Sequence, residues 1–232
     1  MDVLSTEEAA ARLGVSSRRV RALIEQGDLE ATQVGRSHLI QAESLARLSI
    51  NRASGRSLSA RTSWVALLSD IGTRDFDEIA GIAGLWRSER VRVLSQRERR
   101  VEDWSWLARR RAATKRYAIR DAYLTRLLAD RRVVRSGLSA IREHDVDLTV
   151  HTGSAEVYVD QKLASDLPND YLLRADALGA VIVHAVDTDA LLGRFGVCAV
   201  MTAATVGVDL AESDDVRTRR AGYELLERVL RG

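Results

Sequence analysis

Three arginines crowd one short stretch, VSSRRVRALIEQGDLEATQVGRSHLI, from Val15 to Ile40. Arg18, Arg19 and Arg21 fall within four positions, and the pair Gly35-Arg36 follows downstream. A guanidinium can grip a guanine edge through two parallel N–H groups, or pair with a phosphate. At 100° per residue, Val20, Leu23 and Ile24 form one side of a helix. Arg18 and Ala22 lie almost opposite, flanked by Arg19 and Arg21. Arg18 and Arg21 are three apart and share a ridge. Other chemistry is thin. His144, His151 and His184 lack the spacing of a metal site. The sequence contains no G-x-S-x-G, no glycine-rich phosphate loop and no H-E-x-x-H. Asp214-Asp215 and the run VDTD at Val186–Asp189 supply carboxylates of a kind that more often cap helices or mark turns. The sequence therefore predicts no enzyme, no catalytic residue, no metal ligand and no cofactor.

The arginines need a frame to hold them, and the flanking residues describe one. Ser5 and Glu8 have capping-box spacing, Ala9, Ala10 and Leu13 form an apolar stripe, and Gly14 stops the helix. Val15 fills the turn, Ser16 caps a second helix, and Gly27 ends it. Strands Leu29–Val34 and Ser37–Ile40 would flank Gly35-Arg36, a loop suited to a type II′ hairpin. Gln41–Leu48 reads as a short closing helix. The series is that of a winged helix-turn-helix over residues 1–50. In that fold the first turn of the second helix addresses base edges. DNA contact is thus assigned to Ser16, Ser17, Arg18, Arg19 and Arg21, with Arg36, Ser37 and His38 at the wing. A serine-capped helix start also favours a phosphate.

A chain of 232 residues has room for two domains, and 46% hydrophobic content suits a folded protein. The one cysteine, Cys198, excludes an internal disulfide framework and reads as a small buried hydrophobe in FGVCAVM. No apolar run approaches the ~20 residues of a membrane helix, and MDVLSTEEAAARLG is no signal peptide, so a cytoplasmic protein without a membrane partner is predicted. The net charge of +2 conceals an asymmetry: Arg87–Arg135 holds 16 basic and 6 acidic side chains, Ser136–Gly232 holds 9 and 16. Such a split suggests a polyanion on one side and another partner, or a self-contact, on the other.

Residues 51–60 are polar and read as a linker. Residues 61–135 read as a basic helical region, with helices at Arg61–Ile71, Asp75–Leu85, Ser88–Arg111 and Asp121–Leu128 and a strand at Lys115–Ile119. In the long helix, the runs RERR and ARRR would put cations on related faces. Trp104, Trp106, Tyr117 and Tyr123 interleave with them, either as stacking platforms for a nucleic acid or as core. Residues 136–232 mix strand-like runs at Asp147–Val150, Ala155–Val159 and Ala180–Ala185 with helices at Gln161–Asp166, Val197–Ala211 and Asp215–Leu230, and Pro168 marks a turn. The predicted fold class is α+β: an N-terminal winged helix-turn-helix, a helical middle and a C-terminal mixed α/β domain.

The stretch LSTEEAAARLGVSSRRVRALIEQGDLEATQVGRSHLI resembles excisionase-like, MerR-related winged helix domains. It carries the stem S-x-x-E-A-A-x-x-L-G-V-S, then V-x-x-L-I-x-x-G-x-L, then V-G-R-x-x-x-I. The resemblance implies DNA contact by Ser17, Arg18, Arg21 and Arg36. His38 stands where such domains often place an aromatic wing residue. The C-terminal stretch VCAVMTAATVGVDLAESDDVRTRRAGYELLERVL is similar to the end of AbiEi-type antitoxins, through Asp209, Leu210, Ser213, Asp215, Arg217, Arg219, Ala221 and Leu225. That second resemblance implies an autoregulating antitoxin whose partners are double-stranded operator DNA and a cognate toxin; a homodimer would let two recognition helices read a repeat about 10 base pairs apart or a multiple of it. The rival reading is a protein-interaction module, or a recombination or phage-defence accessory factor, targeted to DNA by its winged helix.

Overall fold

In the computed structural model, residues 3–25, 29, 31–35, 37–42, 44–45, 57–69, 76–96, 99–149, 153–186 and 199–231 are described. Gly27, Arg36, His151, Cys198 and residues 51–56 of the expected linker lie outside them. The chain divides into two units, 1–56 and 57–232.

The first unit contains β1 (Val3–Leu4), α1 (Thr6–Leu13), α2 (Ser17–Glu25), β2 (Ala31–Val34) and β3 (Ser37–Gln41). The Ser5 hydroxyl accepts from the Glu8 amide, and the Glu8 carboxylate accepts from the Ser5 amide, closing the capping box. Gly14 then ends α1 at φ 64°, with Gly14 N–H donating to Ala11 and Val15 N–H to Ala10. This double bond is the Schellman arrangement, which needs a left-handed residue. The three strands form an antiparallel sheet in the order β1-β3-β2. Val34 pairs with Ser37, so two positions separate the strands, and Gly35, the first of them, has φ 62°. Both primed hairpin turns require that sign at the first loop position. Leu4, Ala9, Leu13, Val20, Leu23 and Ile40 are buried as the helical and strand periods predict. Gln41 belongs to β3 rather than to the closing helix, of which Ala42, Ser44 and Leu45 are the described helical residues.

The second unit departs further from the sequence reading. Leu58 is buried and donates its amide to the Leu107 carbonyl, and Ser59 caps α3 (Ala60–Leu68), so residues 57–60 belong to the fold rather than to a linker. After α4 (Phe76–Ile82) comes α5 (Arg87–Gln96), then a turn at Val101–Asp103 and α6 (Trp104–Ala108). The long helix Ser88–Arg111 is therefore broken, and its two arginine runs do not share a helix face. The chain continues through β4 (Ala113–Ala118), α7 (Asp121–Ala129), β5 (Val134–Arg135), β6 (Ala155–Asp160), α8 (Gln161–Asp170), β7 (Arg174–Ala175) and β8 (Val181–Val186). It ends in α9 (Ala203–Ala211) and α10 (Val216–Arg231). Residues 146–149 form no strand. Pro168 sits inside α8 rather than in a turn, and α9 starts at Ala203, where the Thr202 hydroxyl caps it, not at Val197.

The five-stranded sheet runs in the order β5-β6-β8-β4-β7, with β6 and β8 parallel and the other pairs antiparallel. β4 comes from the basic region and pairs with β8 of the acidic one, so residues 61–135 and 136–232 build a single sheet rather than two bodies. Successive side chains of a strand point to opposite faces. Val157 and Val159 of β6 and Val181 and Val183 of β8 pack with Leu127 of α7 and Leu163 and Leu167 of α8. Tyr158 points the other way, into a core with Trp64, Trp104, Val206, Leu225 and Leu226 from α3, α6, α9 and α10.

Helices α9 and α10 form a tight hairpin in which Gly207 and Gly222 are both glycines for want of space. A Cβ at Gly222 would lie 2.4 Å from the Ala211 amide nitrogen and 2.7 Å from the Gly207 carbonyl oxygen. Gly222→Ala would gain about 1 kcal/mol of helix propensity. Forcing two backbones apart costs at least the upper end of the about 1–3 kcal/mol of overpacking. The expected result is a net loss of about 2 kcal/mol in chemical denaturation; an unchanged midpoint would contradict this close approach.

Candidate nucleic-acid interface and a buried ionic network

The DNA-facing candidates divide by what their side chains already do. Ser16 accepts a 3.3 Å hydrogen bond from the Arg19 amide, and its carbonyl accepts from Val20, so its hydroxyl oxygen caps α2. Its O–H remains able to donate to a phosphate. Ser17 is half-buried at the start of α2, whereas Arg18, Arg19 and Arg21 are exposed, opposite buried Val20 and Leu23. The structure thus gathers the three arginines on the outer side of one capped helix. His38 is half-buried on β3, opposite Gln33, whose amide donates to the Gly35 carbonyl at the wing. Ser37 opens β3. Arg36 lies outside the described residues.

The aromatic residues interleaved with the basic block are core rather than stacking platforms. Trp104, Trp106 and Tyr117 are buried, and Tyr123 is half-buried. Arg109 lies 3.5 Å over the Trp106 ring, an intramolecular use of one of these arginines.

Buried in the second unit is a cluster that the sequence did not single out. All five N–H groups of Arg111 have acceptors. Nε donates to the Tyr158 hydroxyl at 2.7 Å, one terminal nitrogen to Glu212 Oε1 and the Ala108 carbonyl, the other to Asp209 Oδ1 and Glu212 Oε2. Asp209 also accepts from the Tyr158 and Ser136 hydroxyls. Tyr158 stacks on His184, with ring centroids 4.5 Å apart. His184 bonds Glu156 Oε1 through Nε2 and Thr114 Oγ1 through Nδ1, each at 2.8 Å. Trp64 donates its indole N–H to the Arg111 carbonyl. Burial alone would lower the Arg111 pKa, but the carboxylates of Glu212 and Asp209 outweigh it and hold the guanidinium well above its usual value.

One ligand-type atom from each of Glu156, His184 and Asp209 lies within 4.8 Å of the others, a set that spacing in the sequence had not brought together. This is the group among the described residues that resembles a metal cage. Both Asp209 oxygens and both imidazole nitrogens already have protein partners, so an ion here would displace hydrogen bonds rather than fill a gap. Gly137 makes room for the acid: a Cβ at that position would overlap a Glu156 carboxylate oxygen.

Two tests follow from the network. Arg111→Met leaves Asp209 buried without its cation, which costs about 3–5 kcal/mol. Adding Asp209→Asn should recover a large part of that loss, so the double-mutant cycle should be strongly non-additive; additive losses would contradict the pairing. Burial, with the Asp209 charge, raises the Glu156 pKa above 4.5, against the opposing pull of His184. Folding then favours the protonated acid, so its contribution is full below the unfolded pKa and fades as pH rises through the folded one. Glu156→Gln carries no such dependence. The stability of wild type relative to this variant should therefore fall as pH rises from 4.5. A difference constant from acid to neutral pH would contradict the assignment.

Residues 3–48 match the family model of a helix-turn-helix domain. No curated protein and no solved structure matches the chain, and the family match does not reach the C-terminal stretch, so the expected AbiEi-type relation is without support from these comparisons. Among the described residues no helix is long and apolar enough to cross a membrane. The capped α1, the left-handed turn at Gly14, the capped α2 and the hairpin beyond it lie within those residues, and residues 3–48 form a helix-turn-helix domain.

Proposed function

We propose that the chain is a DNA-binding transcriptional regulator that reads its site through α2. The observation that carries the proposal is the exposure of Arg18, Arg19 and Arg21 on the outer side of a serine-capped helix within a helix-turn-helix domain. Ser17, Arg18 and Arg21 contact base edges in the major groove. Arg19 and the helix start take phosphate, and Arg36, Ser37 and His38 reach the flanking groove or backbone from the wing. A homodimer would set two such helices on half-sites about 10 base pairs apart or a multiple of it. The protein would act in the cytoplasm.

The finer reading is an autoregulating antitoxin that represses its own operator beside a cognate toxin. Its support is the C-terminal sequence resemblance alone. Several residues of that pattern have structural partners in the fold: Asp209 binds Arg111, Asp215 caps α10 through Thr218, and the Arg219 guanidinium bonds the Ser213 carbonyl. The network of the second unit reads as a structural pin rather than an active site, because Arg111, Glu156, Tyr158, His184 and Asp209 are buried and already hydrogen-bonded to their neighbours.

Selection from a random duplex library with the full chain supplies the probe. Each bidentate arginine–base contact is worth about 1–3 kcal/mol, so Arg18→Ala with Arg21→Ala should weaken binding to the selected duplex roughly thirtyfold or more. The fold of the variant should be intact, since both side chains are exposed. Wild-type affinity in the double variant would sink the assignment of α2.

A further inference from the structure

Many arginines of the basic block are spoken for: Arg61 pairs with Glu89, Arg90 with Asp77, Arg100 with Glu102, Arg132 with Asp130 and Arg135 with Glu143, while Arg111 is buried. A different set stands on the sheet. In β4 and the extended residues after it, Tyr117 and Ile119 turn into the core with α7 and α8, so Arg116, Ala118 and Arg120 turn to the opposite face. Arg174 of β7 is the register partner of Ala118 and shares that face. Arg116, Arg174 and Arg120 are exposed, and among the described residues none of them has a carboxylate partner.

Alternate residues of a strand are about 6.6–6.8 Å apart, and a cross-strand neighbour stands about 5 Å to the side. Arg116 and Arg120 therefore stand about 13 Å apart along the strand direction, with Arg174 between them and about 5 Å to the side, three cations bordering one stretch of the sheet. Two acidic groups border the row. Asp176, opposite Arg116 on β7's exit, has its carboxylate on the Leu178 amide, and Asp121 follows Arg120 at the start of α7. Lys115, also exposed, adds a cation on the other side of the same edge.

Resting on the reading of the chain as a DNA-binding regulator, we propose that Arg116, Arg120 and Arg174 form a second contact surface that binds the phosphate backbone of duplex DNA without reading its sequence. The occupant is argued from charge complementarity: three exposed cations without carboxylate partners suit a linear array of phosphates. At this exposed border of the sheet the arginines grip backbone, while α2 supplies the base contacts. Affinity then comes from both units and discrimination from one.

The test uses the full chain and two duplexes of equal length, one selected from the random library and one of mixed, unselected sequence. Arg116→Ala, Arg120→Ala and Arg174→Ala are combined, and affinity is measured between about 50 and 200 mM salt. The expected result is equal weakening on both duplexes, with the slope of log affinity against log salt made shallower by roughly 2–3. The ratio of selected to mixed binding should stay at its wild-type value. Replacing the same three residues with lysine should restore the wild-type slope, since a point charge suffices for phosphate. An unchanged slope in the alanine variant, a loss confined to the selected duplex, or no low-salt binding of the mixed duplex by wild type would overturn the proposal. Failure of the regulator reading looks different: the library then yields no enriched sequence, while the mixed duplex still reports on the row.

Discussion

The second unit depends on one guanidinium. Arg111 stands just beyond α6, is almost wholly shielded from water, and gives all five of its donors to groups from three other parts of the unit. A charge in such a place is costly unless paired and fully hydrogen-bonded. Here it is both, and the arrangement leaves little latitude. Asp209 must come from α9, Tyr158 from β6 and Glu212 from the end of α9, each within bonding reach of the same plane. The indole of Trp64 holds the Arg111 carbonyl from behind and meets the Tyr158 ring edge-on at 5.5 Å. His184 and Glu156 extend the chain of contacts to Thr114 on β4. The helical layer and the sheet are thereby locked in one register by directional bonds, where apolar contact alone would tolerate sliding.

The same pin accounts for part of the charge asymmetry along the chain. The basic block contributes Arg111, and the acidic region contributes buried Asp209 and the more exposed Glu212, so part of the two halves' charge is neutralised within the unit. Self-contact was one of the readings open for that asymmetry. The arginines left over, among them the row on β4 and β7, are the fraction with charge to offer an external polyanion.

Legibility in the sequence followed the range of the interactions. The first unit was readable because its signals are local. Ser5 with Glu8, Gly14 with Ala10 and Ala11, and Ser16 with Arg19 all act within five positions, and their spacing is visible in the letters. The second unit hides its logic at long range: Arg111 and Asp209 are 98 positions apart, and Glu156 and His184 are 28 apart. Nothing local marks a histidine or an arginine as buried. α3 was legible as a helix, although residues 62–68 are all buried and no single apolar face marks how deep it lies. Pro168 misled because proline usually breaks helices, although its missing N–H and the carbonyl it crowds were tolerated here in the second half of α8. At the wing, the turn and register were legible from Gly35-Arg36.

The account as a whole turns on α2 lying in a major groove with its arginines against base edges. Methylation interference measures that directly, because guanine N7 is exposed only in the major groove and adenine N3 only in the minor groove. Duplexes selected by the full chain are lightly methylated, and bound and free fractions are compared position by position. The account predicts that methylated guanine N7 positions within the selected site are depleted from the bound fraction. Depletion confined to adenine N3 positions, or a bound fraction indifferent to methylation, would contradict it.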